Sequence, residues 1–355
     1  MEDNLGAPAK GKSVVAAPTY CVTGATGYIG SWLVKLLLEK GCKVHATARN
    51  PEKALHLLSL WSGSDRLRLF KADLQEEGSF DEAVKGCNGV FHVAASMEFG
   101  VNVNENIEGY VRSNIIDPAI KGTENLLKAC SKSKSVKRVV FTSSISTITA
   151  KDSNGNWRPV VDESCQNTSD HVLNAKAGGW VYALSKLLTE EAAFTFANEN
   201  GIDLVSLITT TVAGPFLTTT IPSSIQVLLS PFTGDPKYFS ILSAVNARMG
   251  SVALVHIEDI CGAHIFLMEQ ANAEGRYICC VCSSPLSEFI DLLAQKHPCS
   301  NLQRLGAEGK GTKPPEISSK KLRDLGFTYK HNIEDIIHQT VTACVDYGFL
   351  PPTRR

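Results

Sequence analysis

No apolar run in this sequence approaches the roughly 20 residues that a membrane-spanning helix needs. The first 17 residues, rich in Ala, Gly, Pro and Lys, hold no apolar stretch long enough for a secretory signal and read as a flexible tail. Charge of one sign is not in excess either. Thirty-five Lys and Arg stand against 36 Asp and Glu, a formal net charge of −1 at pH 7, so nothing draws the chain to nucleic acid or to an anionic membrane. The basic runs, Lys132–Lys137 and Arg354–Arg355, are short enough to be solvated surface. The eleven cysteines are scattered apart from Cys279, Cys280 and Cys282, and these have no His at ligand spacing, which argues against a metal site. An odd cysteine count without a signal implies reduced thiols and a cytoplasmic protein. The sequon at Asn167-Thr168-Ser169 would then never meet the glycosylation machinery. Missing too are the Gly-x-Ser-x-Gly elbow, the His-Glu-x-x-His zinc motif and the Gly-x4-Gly-Lys-Ser/Thr phosphate loop. There are no internal repeats.

What is present is an alternation. The chain has 355 residues, 43% of them apolar, enough for one large α/β domain with a smaller lobe. Short apolar runs at Tyr20–Thr23, Lys43–Ala48, Leu67–Lys71, Val90–Ala94, Arg138–Thr142 and Asp203–Ile208 read as strands. Helical patterns at Ile29–Lys40, Glu52–Leu60, Phe80–Val84, Ala119–Ser131 and Trp180–Asn198 fall between or after them. This rhythm predicts a doubly wound parallel sheet of the Rossmann type over residues 18–208. Residues 209–250 carry Thr, Pro, Ser and Gly with no clear βα unit and read as loop-rich. Ile260–Gln270 as a helix and Arg276–Cys280 as a strand bring residues 251–282 back to the main sheet. Residues 209–250 and 283–355, with helices at Leu286–Gln295 and Asn332–Cys344, form a smaller C-terminal substrate-binding lobe.

Directly after the first strand comes Thr23-Gly24-Ala25-Thr26-Gly27-Tyr28-Ile29-Gly30. Gly24 permits a tight turn, Gly27 lets the backbone approach a pyrophosphate, and Gly30 lets the helix pack closely. The amides and dipole at the helix start then face the anion. Strand before and helix after make this a dinucleotide-binding turn. The second strand ends in Ala48-Arg49-Asn50-Pro51-Glu52-Lys53, with no acid at its tip for a ribose 2′-hydroxyl. Arg49, helped by Lys53, suits the 2′-phosphate of NADP. Asp73 and Leu74, after the third strand, either meet the adenine edge or begin a turn with Asp73 as its cap.

Of eight tyrosines only Tyr182 has a Lys four residues on, Lys186. On a helix the two share a face. The ammonium would favour the phenolate, and Tyr182 could exchange a proton near neutral pH. The fifth strand runs into Thr142-Ser143-Ser144 at the carboxyl end of the sheet, where a serine hydroxyl can bind a substrate oxygen while its neighbour caps a turn. His256 reads as a cap for the following helix and His92 as packed core.

Taken as a set, these segments resemble the plant dihydroflavonol 4-reductase superfamily of extended short-chain dehydrogenases/reductases, from about Pro18 to Pro352. The resemblance rests on residues 22–34, 71–74, 78–87, 90–94, 139–144 and 275–279. It implies Ser144, Tyr182 and Lys186 as the catalytic set. It also implies NADPH held by Gly24, Thr26, Gly27, Tyr28, Ile29, Arg49, Lys53, Asp73 and Leu74, with Val93 and Ala94 at the nicotinamide ribose beside Tyr182 and Lys186. Residues 221–225, 250–252 and 276–280 look closest to anthocyanidin reductase-like proteins, which implies a small aromatic substrate of the flavonoid type. Three departures bear on that substrate: Thr149 stands where the family carries Asn or Asp, Thr209 where it carries Pro, and the segment 97–117 is long. Met97, Thr149, Trp180, Thr209 and Phe216 are the candidate substrate contacts. Ketone reduction on a dihydroflavonol-like substrate is the second reading. A non-catalytic NADP-binding regulator is the third.

Overall fold

A computed structural model describes residues 16–54, 65–95, 106–296 and 314–352. Its centre is a seven-stranded, wholly parallel sheet. The strands are β1 (Thr19–Thr23), β2 (Lys43–Ala48), β3 (Leu67–Lys71), β4 (Gly89–His92), β5 (Arg138–Ser144), β7 (Leu204–Thr209) and β10 (Gly275–Cys279), in spatial order β3-β2-β1-β4-β5-β7-β10. The order reverses between β1 and β4, the crevice where open α/β sheets bind ligands. All six strands expected from the sequence are among these. The seventh, β10, pairs with β7 from Gly275↔Val205 to Cys279↔Thr209.

Because successive strand residues face opposite ways, the sheet supplies two cores. Tyr20, Val22, Phe91, Val140, Leu207 and Tyr277 point to one face, covered by Leu33 and Leu37 of α1 (Tyr28–Glu39) and by Ile260 and Leu267 farther along the chain. Cys21, Val90, Val139, Phe141 and Leu204 point to the other. There they meet α2 (Asp81–Val84), α4 (Asp117–Ser133) and α6 (Trp180–Asn200). Between α2 and α4 the chain forms α3 (Ile107–Val111) and a π-helical turn at Arg112–Ile116. Helix α5 (Ser169–Ala175) precedes α6. The helix expected at Glu52–Leu60 begins as a 3-10 turn, Pro51–Ala54, and its remainder lies outside the described residues.

Residues 209–250 differ from the loop-rich reading. They hold β8 (Thr211–Ala213) and two helices, α7 (Ser223–Thr233) and α8 (Pro236–Met249). Pro231 lies inside α7 and is buried, so packing overrides its helix-breaking tendency. Asp235 accepts from the amides of Lys237 and Tyr238, and Pro236 takes the first helical position, which starts α8. The return of residues 251–282 is staged. Strand β9 (Val252–His256) pairs with β8 and β11 (Cys282–Ser284) in a separate three-stranded sheet. Helix α9 (Ile257–Glu269) packs on α1, and only then does β10 enter the main sheet. Helices α10 (Leu286–Lys296) and α12 (Ile333–Asp346) share a third core with α7, α8, Val252 and Leu254. The short α11 (Lys320–Asp324) abuts β10 through Leu322, and the two-residue strands β6 (Val160–Val161) and β12 (Glu316–Ile317) pair with each other.

Candidate functional site

The glycine turn has the geometry its spacing implies. Gly24 adopts φ +66°, and a Cβ there would lie 2.9 Å from Ala94 Cα, so the end of β4 is pressed against the turn. A Cβ on Gly30 would sit 2.2 Å from the Gly24 carbonyl oxygen; the third glycine admits the helix onto the turn itself rather than onto the strand. Helix α1 starts at Gly27 with no side-chain cap and no acidic residue in its first turn. Its amide end and positive dipole are therefore left for an anion. This cradle, which any side chain would fill, fits a dinucleotide pyrophosphate. Thr26 and Ile29 are partly buried beside it, and the Tyr28 hydroxyl donates to Gly214 O at 3.1 Å, tying the turn to the segment after β8.

Arg49 stands exposed one residue beyond β2. Lys53 lies in the 3-10 turn, its side chain outside the described set. Asp73 closes its own turn: its carboxylate accepts from Gln75 N at 3.0 Å, while Ser79 Oγ donates to its carbonyl at 2.7 Å. Leu74 packs against Gly122 of α4.

One hydroxyl organises the crevice, and sequence reading passed over it. Thr23 Oγ1, at the end of β1, accepts from the amides of Val93 and Ala94, each at 3.1 Å. With both lone pairs used, its proton goes to His92 Nδ1, 3.0 Å away. His92 must then be the neutral tautomer with the proton on Nε2, which donates to Thr123 Oγ1 of α4 at 3.1 Å. Burial, and secondarily the charge of Lys186, hold the His92 pKa down to about 3, so the chain of bonds persists at physiological pH. His92 is packed core, as its apolar strand suggested, and also the link that fixes the end of β4.

The proton-transfer candidates converge at the end of β5. Ser144 is buried; its Oγ accepts from Ser146 N at 3.2 Å and also shares a hydrogen bond with Tyr182. The capping and site-facing roles left open between Ser143 and Ser144 thus both fall on Ser144. Ser143 Oγ, on the other side of the strand, is buried without a partner among the described residues. Tyr182 and Lys186 occupy the same face of α6. Lys186 Nζ donates to Thr142 O at 2.6 Å and lies 4.8 Å from the Phe141 ring centroid. Thr142 Oγ1 in turn contacts His264 Nε2 at 2.8 Å, and His264 Nδ1 reaches Ile260 O at 2.7 Å. The ionisation differs from expectation. Burial pushes the Tyr182 phenol above its ordinary value, and the bond to Ser144 only partly opposes this. Lys186 is engaged with a carbonyl, and its own pKa falls to about 8 through burial, against a smaller opposing pull from Glu190.

The substrate candidates scatter more widely. Thr209 Oγ1 donates to Ser143 O at 3.2 Å, a bond that the family's Pro could not make, beside the Ser144↔Thr209 register pair. Thr149 Oγ1 accepts from Lys151 N at 3.3 Å within its own turn. Trp180 begins α6 and packs with Val111, Ile115 and Val172. Phe216 sits edge-on to Tyr347 at 5.2 Å, within the core of the C-terminal helices. Met97 lies outside the described residues. Among those described, no group of His, Cys, Asp and Glu could hold a metal ion, and no helix is long and apolar enough to cross a membrane.

A parallel sheet reversing at β1 and β4, a glycine cradle at that crevice, and a Ser, Tyr and Lys gathered next to it define a nucleotide-dependent member of the extended short-chain dehydrogenases. The chain belongs to the NAD dependent epimerase/dehydratase family, which it matches over residues 20–280. It is 44% identical to a putative anthocyanidin reductase from Ginkgo biloba over 94% of this chain and 96% of that protein. It is 43% identical to dihydroflavonol 4-reductase from Arabidopsis thaliana over 94% and 84% of the two chains. Among solved structures, vestitone reductase from alfalfa superposes with a TM-score of 0.75 at 36% identity, over 94% of this chain and 99% of that one. Gre2 from Candida albicans in complex with NADPH does so with 0.75 at 26%, over 93% and 99%.

Proposed function

We propose that this protein is an NADPH-dependent reductase of a flavonoid or related phenylpropanoid-derived substrate, acting in the manner of anthocyanidin reductase to form a flavan-3-ol. The observation that carries the reading is the meeting of Ser144, Tyr182 and Lys186 at the end of β5, next to the glycine cradle. The 44% identity to the Ginkgo protein over nearly the whole of both chains supports the substrate class. Gly24, Thr26, Gly27, Tyr28 and Ile29 would hold the pyrophosphate, Arg49 and Lys53 the 2′-phosphate, Asp73 and Leu74 the adenine end, and Val93, Ala94, Tyr182 and Lys186 the nicotinamide ribose. Bound NADPH would supply hydride, two equivalents with one proton for each anthocyanidin cation taken to a flavan-3-ol and one with one proton for each ketone reduced. The chain supplies position and proton. Ser144 orients the substrate oxygen and steadies the charge that develops on it. Tyr182, kept protonated by its burial, delivers the proton. Lys186, its pKa lowered by burial to about 8, can replace that proton from solvent. Met97, Thr149, Trp180, Thr209 and Phe216 are the proposed substrate contacts.

A second reading, reduction of the ketone of a dihydroflavonol, is favoured by the almost equal identity to the Arabidopsis enzyme. A regulator that binds the nucleotide without chemistry is disfavoured by the buried Lys186, whose desolvation a binding module has no reason to bear. Purified protein with NADPH and a panel of anthocyanidins and dihydroflavonols, followed at the nicotinamide absorbance band, separates the three. Turnover of anthocyanidins is expected, falling about 100-fold or more in Tyr182→Phe with NADPH affinity retained. Arg49→Asp should weaken NADPH far more than NADH. Absence of turnover on every flavonoid would sink the reading.

A further inference from the structure

Among the described residues, Arg248 is a cation without an anion. It lies in the last turn of α8, and its Nε and Nη2 are buried with no hydrogen-bond partner among the described residues. Burial lowers its pKa, to about 10, and no carboxylate among the described residues opposes the shift. Arg158 Nε and Arg276 Nε are also without a hydrogen bond among the described residues, but Arg138 and Arg276 each have a carboxylate to balance the charge. Arg138 pairs with Asp203 and donates to carbonyls in the last turn of α9 and beyond it; Arg276 pairs with Glu190 at 3.0 Å and donates to Thr147 and Glu163. A buried guanidinium left unpaired is costly, and its retention is explained when a ligand brings the missing charge.

The position of Arg248 identifies which ligand. Helix α8 bridges the two halves of the catalytic site. At one end the Ser240 carbonyl lies 2.6 Å from where a Cβ on Gly178 would be, four residues before Tyr182. At the other, Ala150 N donates to Arg248 O at 3.4 Å, six residues after Ser144. Val245 and Met249 pack against Ile145 and Ile148 of the turn that follows Ser144. At about 100° per residue, Arg248 leaves the helix between the side carrying Ser240 and Ala244 and the side carrying Val245 and Met249. Its side chain is thus directed between the entry of the catalytic helix and the Ser144 turn. Nε and Nη2 form the side edge of the guanidinium, a fork that accepts two adjacent oxygens at once.

We propose that Arg248 binds the substrate at its end remote from the reduced carbon, taking a pair of adjacent acidic oxygens on an aromatic ring, that is, vicinal phenolic oxygens or a ring carboxylate. The assignment rests on the reading of the chain as a reductase of phenolic substrates. It adds a residue that selects among them.

The test uses wild type, Arg248→Gln and Arg248→Lys. For each, NADPH affinity is measured by fluorescence titration, and kcat and KM are measured on matched substrates with vicinal, single or methyl-blocked phenol groups. Arg248→Gln should raise KM for the vicinal substrate about 10- to 100-fold and abolish discrimination against the blocked one, with kcat and NADPH affinity little changed. Arg248→Lys, which keeps charge but not the fork, should recover part of the loss. Thermal midpoints of both variants should equal or exceed that of wild type. A clear fall would mark Arg248 as a structural partner and overturn the proposal, as would an unchanged KM profile. If wild type reduces no flavonoid, the functional reading fails on its own. Arg248 is then judged by binding of catechol and of benzoate to the NADPH-loaded protein, with the stronger of the two identifying the oxygen pair. Equal binding by wild type and Arg248→Gln, or binding by neither, refutes the site.

Discussion

At the scale of single residues, the site works against stability. Lys186 is 7% exposed and loses its proton near pH 8 rather than 10.5. Its folded-state pKa is lowered, so between about 8 and 10.5 the unfolded chain carries the proton and the folded chain does not. Stability therefore rises with pH across that window, and below pH 8 the full cost of the buried ammonium is borne. Lys186→Met should accordingly stabilise the free protein at pH 7 by about 2 kcal/mol, the desolvation penalty less the lost bond to Thr142. It should abolish most turnover as well. Urea midpoints at pH 7 with an unchanged m-value check the first part; a lower midpoint would mean that the bond to the Thr142 carbonyl outweighs the cost of burying the charge. A stability gained by deleting an active-site group is the usual signature of function paid for in folding energy.

At the scale of elements, Arg138 shows what a buried charge does when it is paired. Lying at the start of β5, it donates to the carbonyls of Leu267, Gln270, Ala271 and Ala273 and pairs with Asp203, so it closes the carboxyl end of α9 and fastens it to the sheet. Arg138→Met should cost about 3–5 kcal/mol, read as a lower urea midpoint, while NADPH affinity changes less than threefold; an unchanged midpoint would show that solvent takes over those carbonyls. Nothing in the sequence marked this residue, because its partners lie 65 to 135 positions away. The strand, glycine turn and helix from Thr19 to Glu39 were legible because local geometry alone demands glycine there. Tyr182 and Lys186 were legible by helical spacing. Helices α7 and α8 were not, since Pro222, Pro231 and Gly234 look like breakers until the buried face of Ile225, Leu228 and Leu229 is seen to hold α7 in place. The Asp235-Pro236 start of α8 was a readable signal that the polar composition around it obscured. Thr23 was read as a strand end, and its hydroxyl gained meaning only once β4 was known to lie beside β1.

At the scale of the whole molecule, three histidines set the response to acid. His92, His256 and His264 are buried, and burial is the largest cause holding their pKa values down to about 3, 4 and 4. Two of them are held neutral by their bonds: His92 needs an unprotonated Nδ1 for Thr23, and His264 an unprotonated Nε2 for Thr142. His256 stacks on His331 at 3.7 Å and accepts at Nδ1 from the Glu258 amide, so protonation there would break a cap and set two imidazoles against each other. In the unfolded chain each takes up its proton near pH 6.5. Their stabilising contribution is therefore fully present above about pH 6.5 and is lost as pH falls toward the folded values. Each loses about 2 kcal/mol by pH 5, and together about 6 kcal/mol, comparable with the whole stability of many domains. The carboxylates Asp152 and Asp162, whose pKa values are lowered by hydrogen bonds from the turns they close, lose their contribution only from the ordinary carboxylate range downward and so leave the window above it to the histidines. Unfolding free energy measured in urea from pH 8 to 4 should be nearly flat down to about 7. It should then fall at up to about 4 kcal/mol per pH unit as three protons are taken up. A protein as stable at pH 5 as at pH 7 would show that one or more of these rings is protonated in the folded state. The bond chain from Thr23 through His92 to Thr123, and with it the fixed end of β4 at the nucleotide crevice, would then need a different account.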